Sequence, residues 1–144
     1  MPGEIICGHG GVLEDSIPTL RAAAELSVAL NAPLLIVFGY DPPLAGGEVG
    51  DLRRVASAFG ENAVAEAKAA VLEFAPSCHV DTLLVEDRPT ESILFVAASR
   101  DAKMIVVGHG GSGPMRGALL GSVAYNLVHR SPVPVLVVPM PDDE

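Results

Sequence analysis

The stretch IVVGHGGSGPMRGALLGSVAYNLV, Ile105 to Val128, holds glycines, hydroxyls and one arginine in a spacing that suits an anion. An apolar run leads into the glycines and a helix-like pattern follows Gly121, so the glycines fall where a strand gives way to a loop and then to a helix. A helix N-terminus presents unpaired N–H groups and roughly half a positive charge, and therefore holds an anion without any lysine. Gly121 and Ser122 stand at that terminus, and the Ser122 hydroxyl is a further donor. Arg116 is the one Lys or Arg between Lys103 and Arg130, which makes it the natural cation for a polyphosphate tail; its alternative reading is a solvated loop charge.

Other motif readings compete for these residues. Gly108 and Gly113 have the outer spacing of a P-loop, but Pro114 stands where the lysine is required. Gly108, Gly110 and Gly113 spell a dinucleotide fingerprint, yet Pro114 and Gly117 start the helix too late for it, and no acidic residue ends a following strand about twenty positions on. A hydrolase elbow, Gly-x-Ser-x-Gly, is absent, and a phosphoacceptor receiver domain would need paired acids where the first loop has glycines. Catalysis is therefore not expected beyond slow ATP hydrolysis at most, because no acid stands beside the glycines to hold Mg2+.

The tetrapeptide Gly-His-Gly-Gly occurs twice, as Gly8 to Gly11 and as Gly108 to Gly111, each time after a β-branched run. If the two strands are neighbours, Gly8, His9, Gly10, Gly108, His109, Gly110 and Gly111 open onto one crevice. His9 and His109 then occupy matching places and could approach each other, with Cys7 as the further ligand a metal would need. The competing reading makes both histidines polar rim or ligand-contacting residues, and no metal site is expected.

Elements that position these residues follow from the periodicities. Ile5 to Gly8, Leu34 to Phe38, Val80 to Val85, Met104 to Val107 and Val133 to Val138 are short apolar runs of the kind buried on both faces of a parallel sheet. Between them lie helical patterns. The first is capped by Asp15 and Ser16, has Pro18 in its first turn and buries Ile17, Leu20, Ala24 and Val28 until Asn31-Ala32-Pro33. After a loop from Leu44 to Gly50, Leu52, Ala56, Phe59, Ala63, Ala67 and Val71 line a long helix ending near Pro76. Pro89 opens a third with Ile93, Val96 and Ala97 inward, and Gly121 to Arg130 is the fourth. Alternation of this kind gives a doubly covered parallel sheet, and strand order 3-2-1-4-5 places the first and fourth strands at the switch point where ligands bind.

At 144 residues the chain suits a single domain, 1–144, and its apolar fraction of 49% supplies a core. A net charge of −9 without any Lys/Arg run opposes nucleic-acid binding. The opening MPGEIICGHGG lacks a basic region, a long apolar core and a cleavage site, and no apolar run reaches membrane-spanning length, so a cytoplasmic location is expected. Cys7 and Cys78 lack Cys-x-x-Cys spacing and read as small buried residues.

Gly108-x2-Gly111-x9-Gly121-Ser122, with GALLGSVAYNLVHRSPVPVLVVP around it, resembles the universal stress protein family, and element order and length are similar over essentially the whole chain. The resemblance implies a Rossmann-like three-layer α/β sandwich of the adenine nucleotide alpha hydrolase type and a homodimer paired through Val133 to Val138. It also implies ATP, alone or with Mg2+, at the switch point, in a regulatory stress-response protein. Adenine is then expected near Gly39 and Val107, with the phosphates on Gly108, Gly111, Gly121, Ser122 and Val123. One residue departs from the pattern: Gly10 stands where family members usually carry an Asp that contacts the nucleotide. The alternative is thus a structural or interaction protein of the same fold that binds no nucleotide.

Overall fold

The computed structural model describes residues 3–42, 49–110 and 120–140. Strands β1 (Ile5–Gly8), β2 (Leu34–Tyr40), β3 (Val80–Glu86), β4 (Met104–Gly108) and β5 (Val135–Val138) alternate with helices α1 (Leu13–Leu30), α2 (Val49–Phe74), α3 (Pro89–Ser99) and α4 (Ser122–Arg130). All strand pairs are parallel and the order is β3-β2-β1-β4-β5, as expected. The chain builds outward from β1 to β3, then crosses back to add β4 and β5 on the other side of β1.

Strand alternation divides the core in two. Ile5, Cys7, Leu34, Ile36, Phe38 and Val106 face α1 and α2, where Leu20, Ala24, Val64, Ala67 and Val71 meet them. Ile6, Leu35, Val37, Ile105 and Val107 face α3 and α4, against Ile93, Val96, Ala97, Ala124 and Leu127. Central strands buried on both sides explain why β1, β2 and β4 are apolar throughout rather than alternating. Among the described residues no helix is long and apolar enough to cross a membrane.

Helix α1 departs from expectation at its start. It begins at Leu13, with Val12 in an extended N-cap conformation, so Pro18 lies inside it and Asp15 and Ser16 are not its caps. Pro18 removes one N–H from the ladder, the one that would otherwise donate to the carbonyl of Glu14, an exposed residue. Ser16 is buried and its hydroxyl donates to the Val12 carbonyl. The buried stripe is Thr19, Leu20, Ala23, Ala24 and Ser27, whereas Val28 is exposed. Asn31, in the left-handed region at φ 51°, ends the helix where the Asn-Ala-Pro signal placed the stop.

In α2 the part from Gly60 onward lies on the sheet: Gly60, Ala63, Val64, Ala67, Ala70 and Val71 are buried, while Leu52 and Phe59, expected inward, are exposed. Val49 and Gly50 belong to this helix rather than to the preceding loop, whose positions 43–48 lie outside the described residues. Strands β2 and β3 run slightly longer than the apolar runs, and β5 starts at Val135 because Pro132 and Pro134 cannot donate to a ladder.

Helix α4, at nine residues, is too short to be stable alone and depends on two buried side chains, Ala124 and Leu127. Leu127→Ala is expected to destabilise the protein by about 2–5 kcal/mol, seen as a lower urea midpoint with an unchanged m-value.

Candidate functional site

The crevice opens where β1 and β4 end. From there β1 leads to α1 on one face of the sheet and β4 leads to α4 on the other, so the two chain directions part and leave backbone facing the gap. His9 N–H donates to the Val37 carbonyl at 2.9 Å and His109 N–H to the Val138 carbonyl at 2.8 Å, which ties each glycine segment to its outer neighbour strand rather than to the other.

The repeated tetrapeptides are not in matching register. Cys7 pairs with Val106, which puts Gly8 beside Val107 and His9 beside Gly108: a slip of one residue. A one-residue slip reverses the facing of every side chain. His9 accordingly turns to the α1/α2 side, with Phe38 at 6.3 Å between ring centroids, whereas His109 falls on the opposite alternation and its Nδ1 lies 3.3 Å from the Gly110 carbonyl. The two histidines do not approach each other. Cys7 does share a face with His9, but burial pushes its thiol up to about 12, leaving an uncharged side chain. Among the described residues no three His, Cys, Asp or Glu side chains gather to hold a metal ion.

His9 is buried, and its Nδ1 lies 3.0 Å from Ser16 Oγ. Because the single Ser16 proton goes to the Val12 carbonyl, the network assigns the imidazole proton to Nδ1 and leaves Nε2 an acceptor. Nε2 is buried and has no hydrogen-bond partner among the described residues. Burial lowers the affinity of His9 for a second proton, with the Ala63 backbone and the Glu66 charge opposing more weakly.

Each glycine serves a different demand. Gly110 has φ 72° and a Cβ there would lie 3.2 Å from Gly121 Cα, so this residue lets the β4 loop meet the start of α4. Gly11 has φ 97°, and a Cβ would meet the rings of Phe38 and Phe59. Gly8 and Gly39 are filled from α3: a Cβ on Gly8 would be 2.7 Å from Ile93 Cδ1, with Val107 Cγ1 of β4 at 3.0 Å, and one on Gly39 would be 2.8 Å from Ser92 Cβ. Gly10 has neither constraint: its φ is ordinary and, among the described residues, nothing lies within 4 Å of its Cβ position.

Two helix N-termini reach this crevice and they differ in charge. Helix α1 carries Glu14 and Asp15 in its first turn, which oppose a second anion. Helix α4 has no acid in its first turn and no side-chain cap. Gly121 N–H donates to the His109 carbonyl at 2.9 Å, which anchors the α4 terminus beside the β4 loop, and Tyr125 N–H is the first to close a helical bond back to Gly121. The Ser122, Val123 and Ala124 amides are thus left pointing along the helix axis. Val107 and Gly39 are buried and can offer only main-chain groups. Of the expected phosphate-side residues, Gly108, Gly121, Ser122 and Val123 come together here; Gly111 and Arg116 lie outside the described residues.

Residues 5–139 match the sequence pattern of the universal stress protein family. The chain belongs to that family. Among curated relatives, a Thermus aquaticus universal stress protein is 34% identical over 122 residues, covering 82% of this chain and 88% of its own length. A Mycobacterium bovis universal stress protein is 39% identical over 77 residues, 54% of this chain but 25% of that longer protein. An Archaeoglobus fulgidus universal stress protein shares the fold, with a TM-score of 0.77 at 21% identity and coverage of 96% and 99% of the two chains. A universal stress protein solved in complex with cAMP aligns at TM-score 0.67 and 26% identity over 98% of this chain and 100% of its own. An Archaeoglobus fulgidus complex with dAMP gives 0.66 at 21% identity, over 94% and 97%.

Within this universal stress protein, Ser16 and Phe59 are contacts of the first loop that the sequence did not mark. Ser16 looks like a helix cap, and Phe59 falls on the periodic apolar face of α2.

Because His9 is held neutral, the unfolded chain takes up a proton below pH about 6.5 that the folded chain resists. Stability from this group is therefore constant above 6.5 and falls on acidification, by up to about 1.4 kcal/mol per pH unit. Urea midpoints between pH 7.5 and 5.5 should fall less steeply in His9→Gln than in the parent.

Proposed function

We propose that this universal stress protein is an adenine-nucleotide-binding regulatory module, taking ATP, with or without Mg2+, in the crevice between β1 and β4. The observation that carries the reading is the acid-free N-terminus of α4, anchored to the β4 glycine loop by the Gly121 to His109 bond. Polyphosphate is favoured there by unpaired amides and by the helix dipole. The cAMP and dAMP complexes of its structural relatives support an adenine nucleotide as the class of ligand.

Charge orients the ligand. Glu14 and Asp15 at the head of α1 repel phosphate from the first loop, so the phosphates lie on Gly108, His109, Gly110, Gly111, Gly121, Ser122 and Val123, with Arg116 as counter-charge, and the sugar and base lie toward Gly8, His9 and Gly10. Val37 accepts from His9, and in an extended strand the next residue facing the same side is Gly39, beyond the last β1 residue. Gly39 N–H and C=O are thus the main-chain pair that a base edge can read beside Val107. Occupancy changes the surface shown to a partner in the stress response.

A homodimer through the last strand accompanies this reading. β5 is a sheet edge with its outer ladder open and Leu136 exposed, and such an edge favours pairing with a second copy. Sedimentation at micromolar concentration is expected to give a dimer, and Leu136→Lys a monomer.

The rival reading, a scaffold that binds no nucleotide, is favoured by one observation, the missing carboxylate at Gly10. Thermal unfolding separates the two. ATP at 100 times its dissociation constant should add about 2.7 kcal/mol to stability, and an unmoved midpoint at millimolar ATP would establish the scaffold instead. Since a Cβ at position 10 meets nothing within 4 Å among the described residues, Gly10→Asp should fold normally. A carboxylate there can accept from sugar hydroxyls, which should tighten ATP binding by about one to two decades in calorimetry.

A further inference from the structure

Helix α2 comes unusually close to the sheet at one residue. A Cβ at Gly60 would lie 2.6 Å from Leu84 Cδ2 and 3.0 Å from Phe38 Cδ2, so the absence of a side chain lets the helix settle onto β2 and β3 midway along its length. That approach brings the preceding residue, Phe59, over the first glycine loop. Its Cε1 would be 3.2 Å from a Cβ on Gly11, and its ring centroid is 5.9 Å from that of Phe38, tilted by 51°. Phe38 is itself buried and is packed between Phe59, Tyr40 and His9. Phe59 is thus oriented by a fixed aromatic neighbour, yet 55% of it remains exposed. Next along the chain from Gly11, a Cβ on Gly10 would meet no atom within 4 Å among the described residues.

An exposed aromatic ring, fixed in orientation and bordering an open backbone loop, is suited to stacking a planar heterocycle. We infer that Phe59 is the surface on which the base of the bound nucleotide stacks, a role on α2 distinct from the main-chain groups at the strand ends. This assignment rests on the nucleotide reading above and on the orientation set by Glu14 and Asp15, which sends the phosphates to α4 and the base toward the loop that Phe59 borders. Stacking supplies affinity for any purine, because every base has a π face, whereas base identity is left to the main chain at Gly39.

The chain has no tryptophan, so Phe59→Trp gives a single reporter at the stacking position. Its emission is expected to be quenched by ATP and to be unchanged by inorganic tripolyphosphate. In calorimetry Phe59→Ala should weaken ATP by roughly five- to a hundredfold, the range that one base–aromatic stack carries. It should leave tripolyphosphate binding as in the parent, and Phe59→Tyr should restore ATP affinity. Melting curves of each variant establish that it is folded, which the exposure of this residue leads us to expect. If the parent binds ATP while Phe59→Ala binds it equally well, or if Phe59→Ala loses tripolyphosphate in proportion, the stacking role is overturned and the nucleotide reading stands. A parent protein that binds tripolyphosphate no more weakly than ATP also overturns it, and one that binds neither overturns both.

Discussion

The pairing of β1 with β4 is the constraint on which the rest depends. Residues about a hundred positions apart in sequence are joined edge to edge, Cys7 beside Val106, and the order of the sheet reverses at that line. A right-handed crossover from β1 must put α1 on one face, and the crossover toward β5 must put α4 on the other. The gap between the departing chains is therefore not a separate invention of the sequence. It is the consequence of covering both faces of one parallel sheet, and the glycines at its rim decide only how closely something can enter.

Identical tetrapeptides acquire different chemistry at that rim. The one-residue slip in the β1/β4 register turns His9 into the interior and leaves His109 toward the other face. Local charge completes the distinction: Glu14 and Asp15 neutralise the terminus after the first loop, while the terminus after the second remains acid-free. Sequence repetition would suggest two equivalent half-sites, but the pairing register and the first helical turn give the two segments different facing and different local charge.

The sheet was legible in advance because buried parallel strands are apolar runs bounded by turn residues, and each of the five runs became a strand. The helices were legible in existence more than in facing. Ser16 and Ser27 are buried on α1 and Val28 is exposed, since the hydroxyls find partners at Val12 and Ala32 and a small side chain fits the close approach to the sheet. Leu52 and Phe59 follow the helical period of α2 but are exposed, because α2 meets the sheet only from Gly60 onward, where Phe59 touches it at one edge. The meeting of the two histidines failed for a related reason: motif alignment and strand register are different quantities, and only the second determines facing.

Glycine content alone also says little about which positions are free to change. Gly11 and Gly110 are held by left-handed backbone, Gly8 and Gly39 by side chains of α3 and β4 that occupy the Cβ space, and Gly60 by the seat of α2 on Phe38 and Leu84. Substitution at any of these must move a neighbour or strain the main chain. Gly10 alone of the first tetrapeptide's glycines has ordinary φ and, among the described residues, no atom within 4 Å of its Cβ position. The described fold therefore exerts no demand for glycine at position 10. Position 10 is thus one at which a side chain can be added without a demand on the described fold.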